Sequence, residues 1–224
     1  MNLSMYRIFG VACAIVAVSL LNGCAKDPTD DKTAAVVNDA VDAEAPAEDA
    51  AAATRDPAVP EGTAYTIDPS VSNITFTGSK VTGKHSGGWS TYDGTVIVPD
   101  GDFTKAHVTI NIDMASTYSD DTDLTKKLIS DVFFEVDTYP TATFVSTSIE
   151  GEGEEFDVSG NLTLHGITKN LTFPVLVELS DDKITAEAEF SFNRKDFRVD
   201  YDGKADDLIR DNVLMLFYVE ANTE

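Results

Sequence analysis

The stretch that decides the fold runs His107-Val108-Thr109-Ile110-Asn111-Ile112-Asp113-Met114, in which polar and apolar residues alternate strictly. Successive side chains of a β-strand point to opposite faces of a sheet, so this alternation is typical of a strand with one buried face. The same period of two recurs at 74–76, 162–164, 171–177 and 184–192, with polar turns at 92–94, 99–102, 150–153 and 180–182. This arrangement predicts an all-β fold, an antiparallel sandwich or an up-and-down barrel. No strand–helix–strand alternation appears, which argues against a parallel α/β fold.

One segment has a helical pattern instead. Three aspartates between 120 and 123 precede Leu124-Thr125-Lys126-Lys127-Leu128-Ile129. Acidic residues at the start and lysines near the end suit a helix dipole. The pattern predicts one short helix that closes an end of the fold or covers its side.

The last strand, 212–220, is apolar on both faces. Met215 and Phe217 on one face can point inward, and Leu214, Leu216 and Tyr218 on the other then need a cover. The helix, a second subunit or lipid could provide it, so a homodimer is one expectation.

The inward faces of the predicted strands form a candidate apolar interior. Its proposed members are Phe76, Ile110, Ile112, Phe144, Phe173, Phe190, Phe192, Met215 and Phe217. Ala186 and Ala188 lie among these large residues. Small residues opposite aromatic rings can leave a tunnel, or the side chains can interdigitate into a solid core; the pattern alone leaves both open.

The N-terminus carries a secretion pattern. Arg7 precedes an apolar run, 8–21, that has the length of a signal-peptide core and is short for a transmembrane helix. Leu21-Asn22-Gly23-Cys24 resembles the bacterial lipobox. That resemblance implies cleavage after residue 23, a diacylglycerol on the Cys24 thiol and an acyl chain such as palmitate on the new amine. Residues 1–23 are therefore interpreted as a lipoprotein signal peptide and Cys24 as the membrane anchor, with the outer membrane favoured because Ala25 follows it.

Residues 24–62 have a different composition from the rest. They are rich in Ala, Asp, Glu, Pro and Thr, with no aromatic residue, and four prolines interrupt them. Like charges repel along such a chain, so we expect a disordered linker that holds a folded domain, 63–224, away from the membrane.

The reactive groups expected of an enzyme are missing from the sequence. His85, His107 and His165 are the only histidines, and neither HExxH nor G-x-S-x-G occurs. The acidic loops lack EF-hand spacing, so we expect no metal, no cofactor and no catalytic residue. A formal charge of −23 argues against nucleic acid as a partner. In Asn193, Arg194 and Asp196 we expect a structural turn rather than a headgroup contact.

Four blocks of the sequence carry a resemblance to a known family. They are Thr66-Ile67-Asp68-Pro69-Ser70, the run from Ser130 to Phe144, the run from Gly160 to Lys169, and Phe192-Asn193-Arg194-Lys195-Asp196-Phe197. In this order they resemble the YceI-like family of periplasmic lipid- or polyisoprenoid-binding proteins, from Tyr65 to Ala221.

The resemblance implies an eight-stranded, lipocalin-like antiparallel barrel around a polyisoprenoid, quinone or fatty-acyl chain. It favours a cavity over a solid core, with a lipid carrier or storage role at the cell envelope, facing the periplasm or the cell surface. The alternative function is an interaction or dimerisation protein with a solid core and a partner-binding outer face.

Overall fold

A computed structural model describes residues 25–41 and 59–223. The predicted signal peptide, Cys24 and residues 42–58 of the predicted linker lie outside this part of the chain. Among the residues described, no helix is long and apolar enough to cross a membrane.

The described residues fold almost entirely into strands. These are β1 (Val36–Asp39), β2 (Thr63–Ile67), β3 (Asn73–Lys80), β4 (Gly83–Trp89), β5 (Tyr92–Val98), β6 (His107–Asp113), β7 (Thr117–Ser119), β8 (Thr141–Glu152), β9 (Glu155–Leu164), β10 (Ile167–Leu179), β11 (Lys183–Asn193), β12 (Gly203–Lys204), β13 (Asp207–Leu208) and β14 (Asn212–Asn222). One α-helix, α1 (Thr122–Ile129), joins β7 to β8. Single-turn 3₁₀ segments occupy Pro99–Gly101, Phe103–Lys105, Met114–Ser116 and Arg194–Phe197.

The strands close into an eight-stranded antiparallel barrel, which confirms the predicted fold. β14 pairs with β3 and then with β2, so β2 and β3 form one interrupted barrel strand. In the same way β4 continues into β5, and β6 into β7. The remaining barrel strands are β8, β9, β10, β11 and β14, each antiparallel to its neighbour. Because β14 also pairs with the first strand, the sheet closes on itself.

Helix α1 forms where the sequence predicts it. Asp121 caps the N-terminus, since its Oδ1 accepts from the backbone N–H groups of Asp123 at 2.9 Å and Leu124 at 2.8 Å. Lys126 and Lys127 lie in the last turn, where they complement the helix dipole. Leu128 is buried, and α1 lies at one end of the barrel beside the loops 130–140 and 194–211.

Part of the predicted disordered linker is a strand in the barrel wall, which corrects that expectation for residues 25–41. The β10–β11 ladder stops at Leu176–Glu187, and Pro174, which has no N–H to donate, lies just beyond that point. β1 fills the resulting gap: it pairs antiparallel with β10, from Val36–Thr172 to Asp39–Lys169.

The residues just before β1 also form hydrogen bonds with β11, on the other side of the gap. The Ala35 N–H donates to the Ser191 carbonyl at 2.8 Å, and the Ser191 N–H donates to the Thr33 carbonyl at 2.9 Å. Ala35 and Val37 pack on the core. The strand β1 is stabilised by pairing with the open edges of strands that are distant in sequence. The composition of 24–62 therefore does not predict it.

Helix α1, one of the three covers expected for the outer face of β14, does not lie over that face. Helix α1 lies at the barrel end against β7. Leu214 is buried beside Ser191, and Leu216 and Tyr218 are half-buried on the wall. A homodimer through this face stays a prediction.

Candidate functional site

An apolar chamber lies in the middle of the barrel. It has a volume of about 160 Å³, and every residue lining it is apolar. Four phenylalanines form its wall: the rings of Phe173 and Phe190 stack at 4.1 Å, with Phe144 at 5.7 Å and Phe217 at 6.0 Å from Phe173. The chamber therefore offers shape and dispersion contacts to an apolar chain, and no hydrogen-bonding side chain of its own apart from the indole of Trp89.

The interior is hollow rather than solid. Ile110, Ile112 and Phe217 point inward yet stay only half-buried, because they border empty space inside the barrel. The absence of a side chain at Gly160 allows the ring of Phe144 to pack against β9, since a Cβ at residue 160 would lie 2.2 Å from that ring. An apolar space of about 160 Å³ therefore remains unfilled by side chains inside the barrel.

A second cavity, of about 270 Å³, lies at the barrel end where α1 is found. We call this cavity the mouth. Its apolar walls come from α1 and from the loops that follow β7 and β11: Leu124, Leu128, Phe133, Phe134, Val199, Tyr201 and Ile209. Trp89, Leu164, Phe192 and Met215 line both the mouth and the chamber. The two cavities therefore adjoin at these four residues.

All nine side chains predicted to face the interior border these cavities. Ile110, Ile112, Phe144, Phe173, Phe190, Phe192, Met215 and Phe217 line the chamber, and Phe76 lines the mouth. Their role in holding a ligand stays a prediction.

Sequence reasoning missed Trp89, the only tryptophan of the chain. It ends the Gly-rich strand β4, where no alternating pattern points to it. Its ring lies 5.3 Å from that of Phe76 and 6.4 Å from that of Phe134, at the junction of chamber and mouth. Its Nε1 is the one buried side-chain nitrogen or oxygen without a hydrogen-bond partner in the part of the chain described. Buried polar groups are nearly always paired, so this N–H is an unused donor next to the cavities.

Charged groups gather at the mouth. Lys80, Lys127, Arg194 and Lys204 line it, against a single carboxylate, that of Asp207. The Lys127 ammonium lies over the ring of Tyr201, 3.9 Å from its centre, and donates to the Tyr201 hydroxyl. Lys80 pairs with Asp207 at 2.6 Å, and the hydrogen bond from Lys80 lowers the pKa of Asp207 below its ordinary value of 3.8.

Asn193 and Arg194 make structural hydrogen bonds within the chain. The Asn193 Oδ1 accepts from the Lys195 N–H at 2.9 Å and begins the turn. The buried Arg194 guanidinium donates to the carbonyls of Val199 and Arg210 and so ties the ends of the 194–211 loop together. Burial lowers the pKa of Arg194, against the opposing effect of nearby aspartates.

The three histidines also make structural contacts within the chain. His85 pairs with Asp120 at 2.9 Å, and His165 bridges the Phe197 carbonyl and the Glu135 carboxylate, each at 3.2 Å. His107 lies 3.4 Å from the Thr109 hydroxyl. Within the described ranges, no group of three or more His, Cys, Asp or Glu side chains is arranged to hold a metal ion.

Comparison with known proteins gives a family and a fold. Residues 65–221 match the model of a family described as the YceI-like domain. Curated relatives named Protein YceI, from Salmonella arizonae and Salmonella paratyphi B, are 38% identical over 130 residues, covering 51% of this chain and 67% of each relative.

Two solved structures share the architecture. BcnA of Burkholderia cenocepacia superposes with a TM-score of 0.62 at 23% identity, over 69% of this chain and 98% of that one. A polyisoprenoid binding domain from Saccharophagus degradans, described as implicated in plant cell wall breakdown, gives a TM-score of 0.61 at 20% identity, over 72% and 99%. At these identities the likeness concerns the fold alone.

Proposed function

Because this chain belongs to the YceI-like family, whose model matches residues 65–221, we propose that it binds one long apolar lipid inside the barrel. The observation that carries the proposal is the chamber, hollow and lined by apolar residues only. A polyisoprenoid, quinone or fatty-acyl chain is the matching class of ligand. One related fold is described as a polyisoprenoid binding domain, which supports the same class.

The mouth extends the volume available to such a chain. Chamber and mouth adjoin at Trp89, Leu164, Phe192 and Met215, and we propose that movement of these side chains lets a flexible tail pass from the chamber into the mouth. Each methylene that leaves water for this interior contributes about 0.8 kcal/mol, so chain length is the main source of affinity.

We propose further that the protein is a lipoprotein of the cell envelope, attached through the thiol of Cys24 after removal of residues 1–23. The lipobox-like sequence supports this anchor. A carrier or storage role fits a chamber whose lining residues are all apolar.

A titration tests lipid binding. The full chain, freed of bound lipid on a hydrophobic resin, is titrated with geranylgeraniol while the fluorescence of Trp89, the only tryptophan, is recorded. We expect a saturable change with a stoichiometry of one. Addition of methanol, which has the same hydroxyl group and only one carbon, is the matched control and should give no saturation. A signal that never saturates with geranylgeraniol would refute lipid binding.

Fractionation tests the anchor. The wild-type protein should stay with the membranes, and the Cys24→Ser variant should not acquire a diacylglycerol mass. If the mature wild-type protein carries an unmodified Cys24, the anchor proposal is wrong.

A further inference from the structure

The N-terminal segment is held at the rim of the mouth. The Ala25 N–H donates to the Val81 carbonyl at 3.2 Å, and the Arg210 guanidinium donates to the Ala25 carbonyl at 2.9 Å. Asp27 pairs with the same guanidinium at 3.3 Å. Val81 lies in the β3–β4 turn and Arg210 in the 194–211 loop, and their neighbours Lys80 and Ile209 line the mouth. The chain therefore meets the barrel at the mouth, one residue after Cys24.

The rim near Ala25 exposes apolar side chains. Val81 is 40% exposed and Leu208 50% exposed, and the two lie together because the Val81 N–H donates to the Leu208 carbonyl at 3.2 Å. Val132, 46% exposed, precedes Phe133 on another side of the mouth. Single exposed apolar residues are common, but Val81 and Leu208 adjoin each other at the rim, and Val132 is next in sequence to Phe133 of the mouth.

The charges of the two barrel ends differ. The turns at the far end, 99–105, 150–155 and 180–183, hold eight acidic residues and two basic ones. At the mouth end, the segments 80–84, 120–140 and 194–211 hold twelve acidic residues and nine basic ones, so the excess of acidic residues is three there and six at the far end. A membrane with anionic lipids repels the far end more strongly than the mouth end.

We infer that the mouth of the barrel docks on the bilayer that carries the anchor, so that a lipid passes between membrane and chamber without crossing water. This inference rests on the proposed anchor at Cys24, and it assigns a different role to residues 25–41 from the spacer expected from the sequence. Residues 25–41 do not space the barrel away from the membrane. They hold its opening against the lipid surface, where Val81, Leu208 and Val132 contact the bilayer.

Site-specific labels test the orientation. The full chain with its natural anchor is reconstituted in phosphatidylcholine vesicles that contain brominated lipid. An environment-sensitive dye is attached through Leu208→Cys at the rim or, as the matched control, through Asp181→Cys in a far-end turn. We expect the brominated lipid to quench the rim label several-fold more than the far-end label. Equal quenching at both positions would overturn the docking.

The same vesicles separate the two proposals. If the protein does not float with the vesicles, the anchor proposed at Cys24 fails, and the docking inference falls with it. If the protein floats and the two labels are quenched equally, the anchor stands and the docking alone is wrong.

A second variant tests whether Arg210 holds the N-terminal segment, which we call the tether (residues 25–27), at the rim of the mouth. Arg210→Ala removes the contacts to Ala25 and Asp27 together with the hydrogen bond to the Ser79 hydroxyl. Lys84→Ala removes an exposed cation of the β3–β4 hairpin that has no ion pair in the described chain. We expect Arg210→Ala to reduce quenching of the Leu208 label and to slow transfer of geranylgeraniol from vesicle to chamber, at unchanged circular dichroism. Lys84→Ala should behave as wild type. Equal behaviour of the two variants would contradict the role of the tether.

Discussion

A substitution that fills the chamber with a side chain can distinguish a ligand-binding cavity from a solid core. Ala186 lines the chamber on β11, opposite Val177 and Val219 of the neighbouring strands. We predict that Ala186→Phe places a phenyl ring in the space of about 160 Å³ and abolishes lipid binding while the barrel stays folded.

The magnitude follows from the cavity. At about 24 cal/mol per Å³, an empty volume of this size corresponds to about 4 kcal/mol, which is the upper limit of what filling can return. Strain from an imperfect fit offsets part of that gain. We therefore expect the free energy of unfolding of the ligand-free protein to stay level or rise by about 1–2 kcal/mol.

The matched control is Ala106→Phe. Ala106 is a buried core residue that borders neither the chamber nor the mouth. The same change of size there overpacks the core and should lower the free energy of unfolding by about 1–3 kcal/mol.

Urea unfolding and lipid titration provide the measurements. Saturating geranylgeraniol at about 100 times its dissociation constant should stabilise wild type by about 2.7 kcal/mol, and should leave Ala186→Phe unchanged. If Ala186→Phe is destabilised as much as Ala106→Phe, or still binds lipid with wild-type affinity, the reasoning is refuted.

The other predictions concern the framework. Gly166→Ala should lower the free energy of unfolding by about 1–3 kcal/mol in urea titrations, because residue 166 has φ +72° and a Cβ would lie 2.5 Å from the ring of Tyr139; an unchanged midpoint would contradict this. Lys80→Met should raise the pKa of the Asp207 carboxyl towards 3.8, seen by NMR titration, because the lysine holds it low. The Lys80 contact thus stabilises the folded chain above the unfolded pKa of that carboxyl, and the contribution is lost as pH falls through the lower folded value; an unmoved pKa would show that the pair does not form. Replacing 33–39 by Gly and Ser should expose the edges of β10 and β11 and cause concentration-dependent association in sedimentation experiments; a monomer of wild-type stability would contradict the role of β1.

The sequence was informative wherever one face of a strand is buried. At 107–114 and 184–192 the alternation follows from the pleat, and the side chains that it places inward do line the interior. Helix α1 was predictable for a local reason, since Asp121 and the two lysines act within one short segment.

Features that depend on distant contacts escaped prediction. β1 forms because β10 and β11 separate near Pro174, and nothing in 36–39 itself demands a strand. Trp89 lies in a Gly-rich strand, so its place at the junction of the cavities follows only from the closed barrel. Local composition predicted a disordered spacer, and the tertiary structure uses residues 25–41 as part of the wall and the rim.

The most direct test of lipid binding is native mass spectrometry of the full chain purified from membranes, followed by organic extraction of the separated complex. The account predicts one non-covalent apolar lipid per chain in addition to the covalent mass at Cys24, and its loss in Ala186→Phe. A chain that carries only the covalent lipid in repeated preparations, and takes up none from vesicles, would contradict it.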